Sequence, residues 1–510
     1  MLRRRRLILT LLIPFITSAI GIPAVRASDT PDNVIVIITD DLGYGDVGCY
    51  GATAIETPNI DRLAAGGMQF TSGYAAAATC TPTRYATMTG RYAWRDPGTG
   101  IAPPNATAII QPGTVTIASI MQDAGYATGI VGKWHLGLGQ KPGPDWNGEL
   151  KPGPLEIGYD YCYLMPTTGD RVPAVYVENH NVVGLDPNDP ISVVMGRNPD
   201  DQPTGITHRD TLKMDWSHGH NNSIINGISR IGFMTGGEDI RWRDEDMADV
   251  FTNKAIEFVE EHAEEPFFLF FSTHDIHVPR MPHERFQGGT DLGFRGDAVE
   301  QMDWCVGQLL AKLDELELTD DTLIVFISDN GPVLDDGYKD DAIERIGDHR
   351  QAGPYRGGKY GIYEGGTRTP FITYWPSRIE PGVSDEVVCT VDLPASLAAL
   401  TGQTLPENAC PDSFNLLPAL LGVEDAEGRE ELVEQGRGLA LRIGDWKFLD
   451  HKNEKAVNSL TYSKPVGRYE LFNLADDPGE TTNIIADHPD RAAAMQSRLE
   501  EIEASERTRP

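Results

Sequence analysis

Runs of apolar residues alternate with amphipathic stretches along most of the chain, and this alternation predicts its fold. The segment 34–38 is wholly apolar and β-branched, which is typical of a parallel strand buried on both faces. The pattern predicts further strands at 127–131, 266–271 and 322–328, and helices at 117–124, 244–263 and 298–316. Alternating strands and helices indicate the α/β class, in which helices flank a large, mostly parallel sheet.

Two stretches depart from this alternation. Between about 160 and 240 the chain is rich in Gly, Pro, Asn, Asp and His. A long irregular insert in a compact domain is usually functional or disordered, so we interpret it as substrate-facing loops. The chain becomes acidic and loop-like at 422–434, which predicts a catalytic domain at 28–425 and a small α+β subdomain at 426–510. Within that subdomain we expect a hairpin of 438–442 and 446–449, a strand at 469–474 and a closing helix at 487–504.

The first 27 residues have the pattern of a secretory signal peptide. A basic segment, Arg3–Arg6, precedes a largely apolar stretch, and Val25-Arg26-Ala27 offers small residues for cleavage after Ala27. The apolar stretch is short for a membrane span, which needs roughly 20 residues, and no later stretch qualifies. We therefore expect a protein exported to the periplasm or the extracellular space, with no stable membrane anchor.

Composition and charge narrow the classes of partner. An apolar content of 40% and a charged content of 23% are those of an ordinary globular protein. The formal charge is −33, and removal of the five arginines of the leader makes it about −38. Such a body repels nucleic acid at long range, so no nucleic-acid partner is expected. A polyanionic substrate would need a locally positive pocket.

Six cysteines occur without Cys-x-x-Cys spacing, so neither a zinc site nor a redox pair is indicated. Cys389 with Cys410 is the only disulfide pair that the sequence leads us to consider.

The most distinctive motif runs from Cys80 to Gly90: Cys-x-Pro-x-Arg, followed by Thr-Gly. Pro82 fixes φ and removes a backbone donor, which favours an extended or turning segment over a helix interior. Thr89-Gly90 predicts a turn or a helix end, and Arg84 offers a fork of hydrogen-bond donors. A free cysteine is usually a buried structural residue, so this motif alone leaves the structural and the functional interpretation equally open.

Acidic residues follow two of the predicted strands. Asp40-Asp41 comes after 34–38, and Asp329-Asn330 comes after 322–328. Either pair alone is better explained as the start of a turn. Two pairs at the carboxyl ends of strands in one sheet favour a site for a hard divalent cation, Ca²⁺ before Mg²⁺.

Candidate cationic and imidazole groups occur nearby in sequence. Lys133 and His135 are two apart, and alternate residues of an extended chain face the same way, so both can point into one pocket. Lys359 follows a pair of glycines, and His277 follows the strand at 266–271. Each of these residues alone is more often a solvated or core residue than a functional one.

Six motifs occur in the order used by the type I sulfatases: Asp-Asp, Cys-x-Pro-x-Arg, Gly-Lys-Trp-His, His-x-Pro, Asp-Asn-Gly and Gly-Gly-Lys. With weaker similarities, the resemblance to that family spans about residues 33–483 and implies an alkaline phosphatase-like fold. Two residues depart from the family pattern. Thr83 replaces the commoner serine, and Arg280 follows His-x-Pro where an apolar or polar residue is frequent. We expect Arg280 to touch substrate.

The resemblance implies a cofactor and a metal ion. A maturation enzyme would oxidise Cys80 to formylglycine, and Arg84 would hold the hydrated aldehyde. One Ca²⁺ ion would be bound by Asp40, Asp41, Asp329, Asn330 and the modified residue 80.

The family mechanism assigns the remaining residues. Lys133, Lys359 and His277 would contact the sulfate ester, with His277 as general acid. Attack on sulfur would give a covalent sulfo-enzyme intermediate, and His135 would take the proton that releases sulfate.

The substrate is expected to be a sulfated glycan. Residues 273–280 and 226–230 resemble those of bacterial enzymes that act on sulfated galactose or N-acetylgalactosamine at O6. His274 and Arg280 are candidate substrate contacts, together with His218, His220 and Arg230. Three alternatives remain at this point: a phosphodiesterase or phosphonate monoester hydrolase of the same superfold, a carbohydrate-binding protein with a dead site, and a chain in which Cys80 stays a thiol.

Overall fold

The computed structural model describes residues 30–452 and 467–509. The predicted signal peptide, 1–27, lies outside these residues. The strands in chain order are β1 (Asn33–Thr39), β2 (Met68–Tyr74), β3 (Ala127–Lys133), β4 (Tyr161–Met165), β5 (Val177–Glu178), β6 (Asn181–Val182), β7 (Ser192–Val194), β8 (Ile224–Ile225), β9 (Ile228–Ser229), β10 (Phe233–Thr235), β11 (Phe267–Ser272), β12 (Thr322–Ser328), β13 (Phe371–Tyr374), β14 (Gly382–Cys389), β15 (Glu431–Gln435), β16 (Leu439–Ile443), β17 (Trp446–Asp450) and β18 (Tyr469–Asn473).

Six of the ten α-helices of the described residues form two packed groups. The helices are α1 (Pro58–Gly66), α2 (Cys80–Thr89), α3 (Ile117–Asp123), α4 (Met247–Glu261), α5 (Phe294–Glu315), α6 (Ala342–Arg345), α7 (Glu364–Thr367), α8 (Leu393–Leu400), α9 (Leu417–Leu420) and α10 (Pro489–Ala504). Helices α1, α4 and α5 pack together, and α2, α3 and α8 form a second group.

The main sheet has ten strands in the order β14-β2-β13-β12-β1-β11-β3-β4-β5-β6. Its five central strands, from β12 to β4, are all parallel, and antiparallel pairs lie towards the edges. Every residue of β1, β11 and β12 is buried, which explains why the interior of each strand is a continuous apolar run rather than an alternating pattern. The predicted α/β class with a mostly parallel sheet is confirmed.

The segment that begins at Cys80 differs from its prediction. Residues Cys80–Thr89 form helix α2, whereas Pro82 had favoured an extended or turning segment. A proline in the first turn of a helix breaks no hydrogen bond, because the amides of that turn have no partner within the helix. Gly90 ends α2 with φ of +61°, as the Thr-Gly pair predicted.

Helix α5 begins at Phe294, four residues before its predicted start. Arg295 and Asp297 interrupt the apolar pattern there, yet both are buried. Arg295 pairs with Asp46, and Asp297 accepts hydrogen bonds from the backbone of Gly288 and Thr290. The charges of Arg295 and Asp297 led the prediction to omit the first turn of α5, which contacts with other segments of the chain stabilise.

The insert at 160–240 is less irregular than expected. Strands β4, β5 and β6 extend the main sheet, while β7 pairs with β10 and β8 pairs with β9. Most of these strands are only two or three residues long, so their apolar period is too short to detect in the sequence.

Strands β15 to β18 form a separate antiparallel sheet, and α10 packs beside it. The predicted hairpin, final strand and closing helix are all present. The predicted loop at 422–434 is wrong at its end, because β15 begins at Glu431. Its acidic composition misled the prediction: Glu434 is fully buried and paired with Lys447.

Six free thiols are found among the described residues, which include all the cysteines of the chain. Cys389 and Cys410 are not bonded to each other, and they lie in different apolar clusters. No helix of the described residues has the length and apolar character needed to cross a bilayer.

A buried charge cluster joins the small sheet to the catalytic part. Lys447 of β17 donates to Glu364 of α7 at 2.7 Å and to Glu434 of β15 at 2.9 Å, and all three side chains are fully buried. Glu480 lies 3.7 Å from Lys447, and burial raises the pKa of Glu480 to about 8. One ammonium group is therefore shared among three acids, of which Glu364 has a second cation in Arg368 at 3.0 Å.

Lys447→Met should strongly destabilise the protein. It leaves Glu364 and Glu434 buried without their shared cation, which should lower the free energy of unfolding by about 3–5 kcal/mol. Chemical denaturation followed by circular dichroism measures this loss. Lys151→Met is the matched control, because Lys151 pairs with Glu149 on the exposed surface, where a pair contributes at most about 1 kcal/mol. Equal losses of unfolding free energy in both variants would show that burial of the Lys447 ion pairs does not increase their contribution to stability.

Candidate active site

Register places four strand ends at one edge of the sheet. Thr39 of β1 lies opposite Ser328 of β12, while Ile38 lies opposite Ser272 of β11, which in turn lies opposite Gly132 of β3. The residues that follow these positions therefore meet at the carboxyl edge, where open α/β sheets place their ligands. The two acidic pairs and Lys133 come together there, as their positions after buried strands predicted.

The acidic pairs form one fully buried cluster of oxygen atoms. Asp40, Asp41, Asp329 and Asn330 are all 0% exposed. The Asn330 amide donates to Asp41 Oδ1 at 2.7 Å, and the Asp41 backbone N–H donates to Asp329 Oδ1 at 3.4 Å. Within the described chain, Asp40 Oδ1 and Asn330 Oδ1 are buried and have no hydrogen-bond partner. Buried oxygens without donors fit a hard divalent cation.

The electrostatics of this cluster support the same fit. Burial raises the pKa of Asp40 well above its ordinary value, and the neighbouring carboxylate of Asp329 raises it further, against the opposing effect of Lys133. Ligand atoms of Asp40, Asp41 and His277 lie within 4.8 Å of one another. A bound cation would relieve the repulsion among these acids.

Lysine ammonium groups lie among the acids. Lys133 Nζ donates to Asp40, and Lys359 Nζ lies 2.8 Å from Asp41 Oδ2 and 2.8 Å from Asp336 Oδ2. Both lysines are buried. Each therefore contacts a candidate metal ligand on one side and can face a bound anion on another.

Cys80 is the first residue of α2 and lies beside His135. Cys80 Sγ is 3.2 Å from His135 Nδ1, and only 2% of the cysteine is exposed. Burial raises the pKa of the Cys80 thiol, although Lys133 and Lys359 act in the opposite direction. The encoded thiol is therefore a poor nucleophile where it stands.

The hydrogen bonds of His135 define its tautomer. Its Nε2 lies 3.1 Å from the Ala102 carbonyl, which accepts a hydrogen bond, so Nδ1 presents a lone pair towards residue 80. Burial, together with Lys133 and Arg171, lowers the pKa of His135 well below its ordinary value. A neutral imidazole with a free lone pair can accept a proton from residue 80.

The backbone from Lys133 to His135 is not the extended chain that we expected. Strand β3 ends at Lys133, and His135 has φ of +54°. The two side chains therefore do not share a face by strand alternation. Both nevertheless lie close to Cys80, because the chain turns sharply after β3.

Arg84 links α2 to the acidic cluster. Its Nε donates to Asp329 Oδ2 at 2.8 Å, and its Nη1 donates to the carbonyl of Lys133 at 3.2 Å and to Ser272 Oγ. Arg84 is 1% exposed. These bonds fix the start of α2, and with it residue 80, against the ends of β3, β11 and β12.

His277 lies beside the acids and the lysines. Its Nδ1 is 2.7 Å from the Val278 carbonyl, so this nitrogen carries the proton and Nε2 is the free position. Burial, then Lys359 and Lys133, lower the pKa of His277 well below its ordinary value. A general acid at this position would need the negative charge of a bound substrate to hold a second proton.

Two predicted substrate contacts have protein partners instead. Arg280 is 0% exposed and pairs with Asp340 at 2.6 Å, while its remaining donors bond the carbonyls of Ile276, Val333 and Leu334. His274 packs against the ring of Phe251. The structure brings neither residue into contact with Cys80 or with the acidic cluster.

The histidines and arginine of the insert occupy different environments. Arg230 is buried and paired with Asp244, His218 is exposed, and His220 lies 2.9 Å from Asp170 Oδ2. Arg171 donates at 2.6 Å to the Ala102 carbonyl, the same group that His135 bonds.

Four residues near the site were missed by the sequence analysis: Asp170, Arg171, Asp336 and Tyr360. Asp336 accepts hydrogen bonds from Lys359 and from the Tyr360 hydroxyl, each at 2.8 Å. None of the four belongs to a recognised motif. Asp336 lies only a few residues after Asp329-Asn330, and this proximity in sequence could have indicated that Asp336 belongs to the site.

Comparisons with known proteins agree with this geometry. The family model described as Sulfatase matches residues 32–403. An N-acetylgalactosamine-6-O-sulfatase of Bacteroides thetaiotaomicron is 50% identical over 475 residues, which cover 92% of this chain and 93% of that protein. Human arylsulfatase A is 31% identical over 483 residues, covering 89% of this chain and 83% of that protein. This chain belongs to the sulfatase family.

A solved structure has the same fold as this sulfatase over nearly its whole length. It comes from work on glycosaminoglycan metabolism by Bacteroides thetaiotaomicron, and it superposes with a TM-score of 0.91 at 49% sequence identity. The match covers 94% of this chain and 100% of that chain. The family resemblance inferred from the six motifs is confirmed, and with it the class of enzyme, a sulfuric ester hydrolase.

Calcium should stabilise the folded sulfatase. An ion that binds only the folded chain stabilises it by about 2.7 kcal/mol at a concentration 100 times its dissociation constant. The melting temperature should therefore rise as Ca²⁺ is titrated into chelator-treated protein. Asp40→Asn should abolish most of this rise, while Asp123→Asn, an exposed acid elsewhere, should keep it. A rise of equal size in both variants would contradict the assigned ligands.

Proposed function

We propose that this sulfatase removes 6-O-sulfate from N-acetylgalactosamine or galactose units of sulfated glycans. The observation that carries the proposal is the 50% identity, over 92% of this chain, to a protein named N-acetylgalactosamine-6-O-sulfatase. Relatives of lower identity act on other esters by name, so the degree of similarity matters here.

The proposal includes formylglycine at residue 80 and one Ca²⁺ ion. The hydrated aldehyde, when formed, supplies a nucleophilic hydroxyl that a thiol does not. Asp40, Asp41, Asp329 and Asn330 would hold the ion, which acts as a Lewis acid on the ester. The unpartnered buried oxygens of Asp40 and Asn330 support this assignment.

The side chains around residue 80 would divide the work. Lys133 and Lys359 would donate to the ester oxygens and stabilise the charge that grows in the transition state. His135 would accept the proton of residue 80 at Nδ1, which lies 3.2 Å from Cys80 Sγ. His277 would protonate the leaving oxygen from Nε2, once the substrate's charge has raised its pKa.

Export and domain division belong to the same proposal. We infer that residues 1–27 direct export and that a maturation enzyme converts Cys80 to formylglycine. We also infer a catalytic domain at 28–425 and a subdomain at 426–510, since β15, the first strand of the small sheet, begins at Glu431.

Cys80→Ala should abolish turnover and leave the fold intact. It removes the thiol that the maturation enzyme needs in order to oxidise Cβ to the aldehyde, while burial and helix α2 remain. Sulfate release and circular dichroism measure the two outcomes. Cys49→Ala is the matched control, because Cys49 is a free thiol outside the site. In the wild-type protein, the peptide containing residue 80 should react with an aldehyde probe and show the mass of formylglycine. Full activity of Cys80→Ala would exclude the mechanism.

The substrate assignment can be tested with a panel of sulfated sugars. Released sulfate should be fastest from 6-O-sulfated N-acetylgalactosamine or galactose. We expect roughly 10–200-fold lower kcat/KM for 4-O-sulfated N-acetylgalactosamine and for 6-O-sulfated N-acetylglucosamine. An aryl sulfate and an aryl phosphodiester, compared under the same conditions, test the phosphodiesterase alternative. Preference for the phosphodiester, or for the glucosamine compound, would overturn the proposal.

A further inference from the structure

We propose that Asp336 is a positioning residue for Lys359, and that Arg280 holds the loop that carries Asp336. The inference rests on the proposed function only in assuming that Lys359 contacts the sulfate ester. It assigns a role in sulfate-ester hydrolysis to a residue outside the six motifs, and it gives Arg280 a role at a distance from substrate.

The contacts of Lys359 define the proposed role. An ammonium group has three N–H donors. One points to Asp41 Oδ2 and a second to Asp336 Oδ2, both at 2.8 Å. Lys359 is 4% exposed, so water does not compete for the third donor. Two carboxylates thus fix the direction in which the third N–H can meet a bound anion.

Asp336 is needed because Asp41, the other carboxylate that accepts from Lys359, is also a candidate metal ligand. A divalent cation on Asp41 would attract that carboxylate and repel the Lys359 ammonium. Asp336 would keep the ammonium in place, since its two carboxylate oxygens are engaged by Lys359 and by the Tyr360 hydroxyl. Burial opposes the ionisation of Asp336, but Lys359 and other neighbouring groups together lower its pKa.

Tyr360 fixes the orientation of the Asp336 carboxylate. Its hydroxyl donates to Asp336 Oδ1 at 2.8 Å, which leaves Oδ2 for Lys359. The backbone of Tyr360 has φ of +75°, a conformation that non-glycine residues adopt rarely. Its N–H donates to the Ala78 carbonyl, two residues before Cys80. The tyrosine therefore ties Asp336 to the segment that leads into α2.

Arg280 supports the loop on which Asp336 lies. Its guanidinium donates to the carbonyls of Val333 and Leu334 and pairs with Asp340, so it contacts the loop on both sides of Asp336. The planar fork of arginine suits several simultaneous bonds of this kind. This explains why an arginine follows the His-x-Pro motif although it is 0% exposed.

Asp336→Asn tests the proposal in the full-length, matured enzyme. It keeps the shape of the side chain and removes its charge. We expect kcat/KM to fall about 30-fold on any sulfate ester that the wild type hydrolyses, with a native circular dichroism spectrum and an unchanged response to Ca²⁺. The melting temperature should fall, because the variant loses a buried ion pair with Lys359. Asp335→Asn is the matched control, because the neighbouring acid contacts Ser217 and not Lys359. Its activity should stay within about twofold.

A double-mutant cycle separates positioning from other roles. If Asp336 acts through Lys359, adding Asp336→Asn to Lys359→Met should change kcat/KM less than threefold. Independent, multiplying effects would overturn the proposal, and so would equal losses in Asp335→Asn and Asp336→Asn.

Tyr360→Phe provides a second variant without a change of charge, should Asp336→Asn fold poorly. It should lower kcat/KM by about threefold to tenfold, again without effect in the Lys359→Met background. An activity equal to that of the wild type would contradict the role given to the carboxylate's orientation. Because any hydrolysed sulfate ester serves as substrate, a wrong assignment of the natural glycan would leave this test unaffected.

Discussion

The structure depends on the balance of charge among side chains buried at the carboxyl edge of the main sheet. Four carboxylates, those of Asp40, Asp41, Asp329 and Asp336, meet three fixed cations, Lys133, Lys359 and Arg84. Desolvating charges costs several kcal/mol for each ion unless partners compensate for it. The cluster alone carries an excess of one negative charge, and a divalent cation would make it positive by one. That positive excess suits a sulfate monoester anion, even though the body of the protein is strongly acidic.

The same requirement extends outward to the loops that carry these residues. Asp46 follows the Asp40-Asp41 pair, and both of its oxygens bond Arg295 of α5, while His349 bonds one of them. Asp340 pairs with Arg280 in the loop that follows β12. Each of these pairs is buried, so each loses much more free energy when one partner is removed than an exposed pair would. The loops of the site are therefore held by specific ionic contacts rather than by apolar packing alone.

Much of the architecture could be predicted from local pattern, and several of the exceptions share one cause. Apolar runs located four of the five central strands, and strand ends located the acidic pairs, because a parallel sheet brings its carboxyl ends to one edge. The pattern failed where a polar residue is buried by a distant partner. The charge of Glu434 led us to predict a loop where β15 lies, and the charge of Arg295 led us to omit the first turn of α5. Arg280 was interpreted as a substrate contact for the same reason, since three of its four partners, Val333, Leu334 and Asp340, lie more than fifty residues away along the chain.

By itself the sequence determined the sheet, the family and the chemical groups that the site contains. Strand periodicity and each single motif are local properties that a short segment of chain carries in full, and the order of the motifs follows directly from the sequence. Only the tertiary structure decided which groups face one another: that Asp336 shares Lys359 with Asp41, that His135 turns its Nδ1 towards Cys80, and that Arg280 serves a loop. Those contacts join residues far apart along the chain, and they exist only once the sheet has brought its strand ends together.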